Sequence, residues 1–229
     1  MVVNFMREIV LDTETTGLKA NDGDRLVEIG CVELVNHMAT GNNYRVYINP
    51  ERVMPDEAFR VHGLSEEFLL DKPLFADVID GFLEFIKDSP LIIHNAEFDI
   101  GFLNAELGNV GKPKISMERT IDTVKLARRK FPGSRVNLDA LCSRFQIDNT
   151  NRALHGALLD AQLLSEVYLE LIGGRQPGLE LAAEKAKLSA FEVIESTSQR
   201  PPRAHAPTSD ETAAHEEFLG QLSEPVWRS

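Results

Sequence analysis

The chain has 229 residues, 43% hydrophobic and 26% charged, which is enough apolar sequence for a real core and enough length for one or two domains at about 150 residues each. Twenty-four Lys and Arg against 36 Asp and Glu leave a net charge of −12, which argues against a protein that holds nucleic acid unaided through phosphate contacts. No run approaches the ~18 apolar residues of a membrane span, and residues 1–8 lack the apolar stretch of a signal peptide. Cys31 and Cys142 stand far apart in apolar segments and read as buried free thiols, so the expectation is a cytoplasmic protein that meets no membrane.

Residues 8–49 read as strands. Ile9-Val10-Leu11, Leu26 to Leu34 and Tyr44 to Ile48 are β-branched or alternating, with turns expected at Gly17, Asn21-Asp22-Gly23 and Gly41-Asn42-Asn43. From Pro55 the period becomes helical. Phe75, Val78, Ile79, Phe82, Phe85 and Ile86 share a face, and a short buried run, Leu91-Ile92-Ile93, follows. Ile100, Leu103 and Leu107 mark another helix, Leu138, Leu141 and Phe145 a third, and a long one runs from about Ala157 to Ile172, stopped by Gly173-Gly174. Hairpin-linked strands followed by alternating helices and strands predict an α/β domain on a mixed sheet. Residues 196–209 hold Pro201, Pro202 and Pro207 without a Val, Ile, Leu, Met or aromatic residue, a linker composition. Beyond it, Thr208-x-x-Glu211 forms a capping-box signal, and Ala214, Phe218 and Leu222 make a short apolar stripe before Pro225 and Trp227.

Four acids stand where acids are costly. Asp12 and Glu14 continue the strand Ile9-Val10-Leu11 two residues apart, so both point to one face. Asp160 precedes Leu164, Val167, Tyr168 and Leu171 on the apolar stripe of its helix, and Asp99 precedes Phe102 and Leu103 in the same way. Charges aimed at a core need a partner or a metal. Neither Ile9 to Leu18 nor Ala157 to Ile172 contains a basic residue, so the expectation is that hard divalent cations, Mg²⁺ or Mn²⁺, neutralise the group. Four acids can hold two such ions ~3.5–4 Å apart for phosphoryl displacement. His155, expected at the start of the Asp160 helix, is a candidate proton acceptor. Taken singly, Asp-Thr-Glu-Thr can be a strand exit with a cap and His155 a structural histidine. Their ordered co-occurrence with Asp99 favours chemistry.

Asp12-Thr-Glu-Thr-Thr-Gly17, His94-Asn-Ala-Glu-Phe-Asp-Ile-Gly-Phe102 and His155-Gly-Ala-Leu-Leu-Asp160 resemble the three motifs of the DEDD exonuclease family, histidine subclass. Thr40 to Asn43, Pro55 to Gly63, Phe68 to Pro73, Phe131-Pro-Gly133 and Leu138 to Cys142 extend the resemblance, almost continuously over 9–174, to the proofreading members of that family. The resemblance implies a ribonuclease-H-like fold, three antiparallel and two parallel strands flanked by helices, followed by a flexible C-terminal tail. It implies a 3′–5′ exodeoxyribonuclease that releases 5′-monophosphates. By motif position, Asp12 would bridge two metal ions, Glu14 and Asp160 would hold the ion carrying the attacking water, Asp99 would reach the second ion, and His155 would be the base. Thr15, Glu57 and His62 match contacts to the 3′-terminal nucleotide, alongside Asp12, Glu14 and Asp160. Phe98 reads equally as a base-stacking wedge or a packed aromatic.

Residues 119–135 carry Arg119, Lys125, Arg128, Arg129, Lys130 and Arg135 against Asp122, readable as a path for phosphates or as a solvated helix face. Gln176, Leu179 and Leu181 fit a short sliding-clamp-binding pattern. The division expected is a catalytic domain, 1–174, a clamp-binding segment and linker, 175–209, and a tail, 210–229, that tethers the chain to the polymerase catalytic (alpha) subunit. The resemblance leaves open a small accessory (theta-like) subunit, and 179–194 have no assigned role. The rival readings are trimming of single-stranded RNA or DNA ends, as ribonuclease T does, a scaffold subunit of the polymerase–clamp assembly, and phosphatase chemistry at the same metals.

Overall fold

Alternating and β-branched residues form three leading strands, β1 (Arg7–Thr15), β2 (Leu26–Val35) and β3 (Met38–Tyr47), in a computed structural model that describes residues 6–152, 154–174 and 206–221. β1 pairs antiparallel with β2 and β2 antiparallel with β3. Two short strands, β4 (Leu91–Ile93) and β5 (Thr120–Asp122), extend the sheet in parallel beyond β1, giving the order β3-β2-β1-β4-β5. This is the mixed five-stranded sheet of the ribonuclease-H-like fold.

One expected turn is displaced. The β2–β3 reversal occurs at Asn36-His37, both with positive φ (51° and 66°), as a two-residue hairpin needs. Gly41-Asn42-Asn43 lies inside β3, where the register passes from Val32↔Asn43 to Leu34↔Ala39 and Gly41 has φ 86°. A Gly-Asn cluster serves a bulge as readily as a turn, so its signal misled the placement.

The helices are α1 (Asp56–His62), α2 (Glu66–Leu70), α3 (Phe75–Ile86), α4 (Ala96–Asn109), α5 (Thr123–Lys130), α6 (Leu138–Phe145) and α7 (Ala157–Ile172). The bounds of α7 coincide with the sequence reading, and Gly173, at φ 134°, stands at its C-cap. Ile9 and Leu11 pack with Phe75, Ile79, Phe82 and Ile86 of α3 and with Ile100, Phe102, Leu103 and Leu107 of α4. Val10, Val32 and Ile92 face the opposite layer, where Leu138 and Leu141 of α6 meet Leu164, Val167, Tyr168 and Leu171 of α7. Each such buried side chain contributes about 1.5–3 kcal/mol, so the two helical layers lock the strand parity on which the site depends. Cys31 and Cys142 are buried free thiols within these layers.

Two contacts fix the helices that carry acids. Arg25, just before β2, donates to both carboxylate oxygens of buried Glu106 in α4, at 2.6 and 2.9 Å. Gly30 of β2 lies under the start of α7, where a Cβ would fall 2.3 Å from the Ala157 carbonyl carbon and the Leu158 nitrogen. Only glycine allows that approach.

The chain divides into two units, Met1–Gly178 and Leu179–Ser229. In the second, α8 (Ser209–Gly220) begins with the expected capping box: Glu211 N–H donates to Thr208 Oγ1 at 3.3 Å, and Thr208 N–H donates to Glu211 Oε2 at 2.8 Å. Phe218 is exposed and Leu219 is buried. Gln176, Leu179, Leu181, residues 196–205 and Leu222 to Trp227 lie outside the described residues. No helix among the described residues is long and apolar enough to cross a membrane.

Candidate active site

β4 pairs with β1 only at Ile9 and Val10, so β1 runs on past the end of its parallel neighbour, still paired with β2 on its other side. The carboxyl ends of parallel strands are where open α/β sheets bind ligands. Asp12 and Glu14 share the parity of Val10 and point toward α7, while Thr13 between them donates its hydroxyl to Asp99 Oδ1 at 2.7 Å. Asp99 reaches that point because the chain reverses sharply between β4 and α4 at Asn95, φ 73°, which sets the first turn of α4 over the strand ends. Asp160 lies in the first turn of α7 and is buried, as its stripe predicts.

His155 departs from its expected place. It precedes α7 by two residues, because Gly156 is the N-cap, and it stands in the loop with an exposed side chain. Its backbone N–H donates to Val61 O of α1 at 3.0 Å, and Leu154 packs against Gly63 at the C-cap of that helix. The loop is thus held by α1, far away in sequence.

Asp12, Glu14, Asp99, Asp160 and His155 all line one cavity of about 370 Å³. Ligand atoms of Glu14, His155 and Asp160 lie within 4.8 Å of one another, close enough to share one cation. The electrostatics match that geometry. Burial, then the neighbouring Asp99, Glu14 and Asp160, pushes the Asp12 carboxyl well above its usual range. Glu14 is pushed up to about 8 by burial and by Asp160, Glu28 and Asp99. Burial raises Asp99 to about 7 against the opposing hydrogen bond from Thr13. Crowded oxygen donors that resist ionisation fit hard divalent cations, which the exonuclease fold implies.

The expectation that no basic side chain neutralises these acids is wrong at one corner. Arg152 donates through Nε to Asp160 Oδ1 at 2.6 Å and through an Nη to Oδ2 at 2.7 Å. Its other Nη donates to Asp139 Oδ1 at 2.6 Å, and the first lies 2.9 Å from His155 Nδ1. Burial raises the Asp160 carboxyl, but the Arg152 hydrogen bonds and charge, with His155, outweigh it and hold Asp160 below its usual value. Arg152 belongs to neither acidic element: it sits in the loop, eight residues before Asp160, so the composition of those elements gives no sign of it. The pattern Arg152-x-x-His155 beside a motif acid was the available signal. Of the other residues that line the cavity, His94 heads the second motif and Asp139 lies within the matched segment Leu138 to Cys142, whereas Asn137 carried no signal.

A second cavity of about 560 Å³ adjoins the first through Thr13, Glu14 and Phe98. Thr15, Glu57 and His62 line it. Thr15 is buried, and its hydroxyl donates to Gly17 O at 2.6 Å. Glu57 is exposed in the first turn of α1. His62 is buried in the last turn of α1; Nδ1 accepts from Leu64 N–H at 3.0 Å, while Nε2 has no well-formed hydrogen bond. Burial lowers its pKa, opposed by the Thr15 backbone. Phe98 lines both cavities and also packs on Phe102 with ring centroids 5.0 Å apart, so it serves the core and the site together.

The basic strip divides. Arg119 donates to the carbonyls of Ile86, Lys87 and Ser89, Lys130 caps the end of α7 through Glu170 and Leu171 carbonyls, and Lys125 pairs with Glu97. Among the described residues, Arg128, Arg129 and Arg135 are exposed and form no ion pair.

A family model described as Exonuclease matches residues 9–168. The chain is 52% identical to DNA polymerase III subunit epsilon of Rickettsia conorii, over 96% of this chain and 98% of that protein. It is 45% identical to the subunit of the same name in Escherichia coli, over the whole of both chains. Among solved structures it resembles exonuclease X in complex with 5′ overhanging duplex DNA, at 28% identity and a TM-score of 0.56, over 72% of this chain and 90% of that one. It shares the fold of the 3′hExo nuclease domain, a DEDDh member bound to rAMP, at 16% identity and a TM-score of 0.65, over 74% and 93% of the two chains. An acid cluster at the end of β1, on a mixed five-stranded sheet and within a sequence this close to its relatives, leaves one assignment: the chain belongs to the exonuclease family and, within it, to the DNA polymerase III epsilon subunits.

Proposed function

We propose that this protein is the 3′–5′ exodeoxyribonuclease that proofreads for the replicative DNA polymerase, removing mismatched 3′-terminal nucleotides as 5′-monophosphates. One observation carries the reading: a cavity lined by Asp12, Glu14, Asp99, Asp160 and His155, together with Asp139, His94 and Arg152, adjoins a second that falls within the ~300–1,000 Å³ range of small-ligand sites. Two divalent ions, Mg²⁺ or Mn²⁺, would activate the attacking water and stabilise charge on the phosphate. Asp12 would hold both ions, Glu14 and Asp160 one of them, and Asp99 the other through water. His155, at the rim, takes the proton of the attacking water. Thr15, Glu57 and His62 seat the terminal nucleotide, and Phe98 parts it from the next base.

DNA as substrate is supported by the likeness to exonuclease X, whose structure holds duplex DNA with a 5′ overhang, and a polymerase partner by the names of the epsilon relatives. The protein carries a net charge of −12, and the exposed Arg128, Arg129 and Arg135 are candidates to meet phosphates locally, so tight hold on DNA would come from partners. Preference for a mismatch then follows from fraying, since an unpaired 3′ end melts into a single-strand site at lower cost. The catalytic domain is 1–174. Residues 175–209 link it and offer Gln176, Leu179 and Leu181 to the sliding clamp, and 210–229 tether it to the alpha subunit in the cytoplasm, with a theta-like accessory subunit as a further partner.

The test is a 5′-labelled primer with a matched or mismatched 3′ end, incubated with the protein and Mg²⁺ or EDTA. Metal-dependent laddering from the 3′ end, faster on the mismatch, is expected. A folded protein that produces no ladder in any divalent metal would overturn the nuclease reading and leave the scaffold role.

A further inference from the structure

The Arg152 side chain is 7% exposed and spends every polar contact on the acid cavity: both oxygens of Asp160, one of Asp139, and the approach to His155 Nδ1. Two of the three groups close enough to share a cation, Asp160 and His155, are therefore held by the guanidinium. A divalent ion coordinated by Asp160 competes with Arg152 for the same carboxylate, and its charge repels a guanidinium a few ångströms away. Asp139 offers that guanidinium a second place to stay: its side chain is half exposed toward the cavity mouth, against 4% for Asp160. We infer that Arg152 is an exchangeable internal counterion, which occupies Asp160 and His155 while the site is empty of metal and moves onto Asp139 when a divalent ion binds.

The inference rests on the metal-site reading above and adds a positioning residue to it. Without Arg152, Asp12, Glu14, Asp99 and Asp160 would face one another uncompensated, and the loop before α7 would lose the side chain that ties it to the cluster. Displacing Arg152 also returns the Nδ1 lone pair of His155, which the Arg152 donor now engages. Metal loading and release of the base thus become one event.

The experiment uses the full chain stripped with EDTA. Mn²⁺ binding is read from the loss of the free-ion electron paramagnetic resonance signal in wild type, R152Q and R152K. An opposite charge at this distance shifts a carboxylate's proton affinity by one to three powers of ten, and a metal ion feels the same field, so R152Q should bind Mn²⁺ at least ~10-fold more tightly. R152K, which keeps the charge but loses the two-pronged grip, should fall between. In wild type, the ¹⁵N–¹H resonance of Arg152 Nε should exchange slowly with solvent in EDTA, then shift and exchange faster as Mg²⁺ is added. That second measurement needs no variant and stands even where R152Q fails to fold. R152Q binding no tighter than wild type, or an Nε–H unmoved at saturating Mg²⁺, overturns the inference alone. Absence of Mn²⁺ binding to wild type overturns it together with the metal-site reading.

Discussion

Asp12 and Asp160 line the same cavity and burial raises both, yet their neighbours act differently: Asp12 has mainly acids close by and is pushed up, whereas Asp160 has Arg152 and is held down. Replacing Asp12 by Ala should abolish hydrolysis while leaving the thermal midpoint of the metal-free protein unchanged or higher. For Asp160 the ion pair with Arg152 reverses the sign. Asp160→Ala leaves Arg152 with Asp139 alone and should cost about 1–3 kcal/mol, below the ~3–5 kcal/mol for breaking a fully buried pair. Urea denaturation of both variants in EDTA separates the two cases, and equal stabilities would refute the distinction. His155→Ala should lower kcat about 10²–10⁴-fold, and near-normal turnover would remove it from the base role. The acids also set the response to pH. Folding raises Glu14 from 4.5 to about 8 and Asp99 from 3.8 to about 7. Between those values the folded chain keeps protons that the unfolded chain has lost, so this stability is whole in acid and disappears as pH climbs through 7 to 8. The metal-free midpoint should therefore fall between about pH 5 and about pH 8, and saturating Mg²⁺ should flatten the decline. A midpoint that rises over this interval in EDTA would contradict the assignment.

The carboxylates are no better placed than the elements that carry them, and α7 depends on one glycine and one buried acid. Gly30 lets the helix start lie directly on β2, opposite Asp12 in the register, and Glu28 accepts from Ala157 N–H at 3.2 Å, taking up a free amide of the first turn. Gly30→Ala places a methyl group against helix backbone, which cannot rotate away as a side chain can. The expected cost is about 1–3 kcal/mol of overpacking, with kcat on a short oligonucleotide down ~100-fold from an Asp160 shift near 1 Å. Wild-type kcat in this variant would show that α7 tolerates displacement. At the scale of elements, sequence reading succeeded where periodicity ran long. The stripe of α3 and both ends of α7 follow from side-chain spacing and a glycine stop. It failed for the β2–β3 hairpin, where Gly41-Asn42-Asn43 outweighed an Asn36-His37 turn of weaker composition. It passed over β5, because Thr120-Ile121-Asp122 holds a single apolar residue, whereas the equally short β4 is an unbroken apolar run.

For the whole molecule, the acidic net charge suits the proposed reading of a nuclease brought to its substrate by other proteins. Deleting residues 196–229 should leave hydrolysis of short oligonucleotides intact and abolish co-purification with the alpha subunit if the proposed tether lies there. Full retention of the polymerase by the shortened chain would locate the contact on the catalytic domain instead.

Local chemistry was legible in the residues themselves: carboxylates at strand parity or on an apolar helical stripe cannot be solvated, whatever the fold, so Asp12, Glu14, Asp99 and Asp160 announced themselves. The capping box of α8 and the stop of α7 are likewise local, written within a few residues of one another. Tertiary structure alone decided which separate segments share a cavity. It brought the Arg152 guanidinium onto Asp160, seated the His155 loop on α1 through Val61, and laid α7 on Gly30. Those contacts join residues by the path of the backbone through space, and spacing along the chain carries no record of that path until the sheet and its two helical layers have packed.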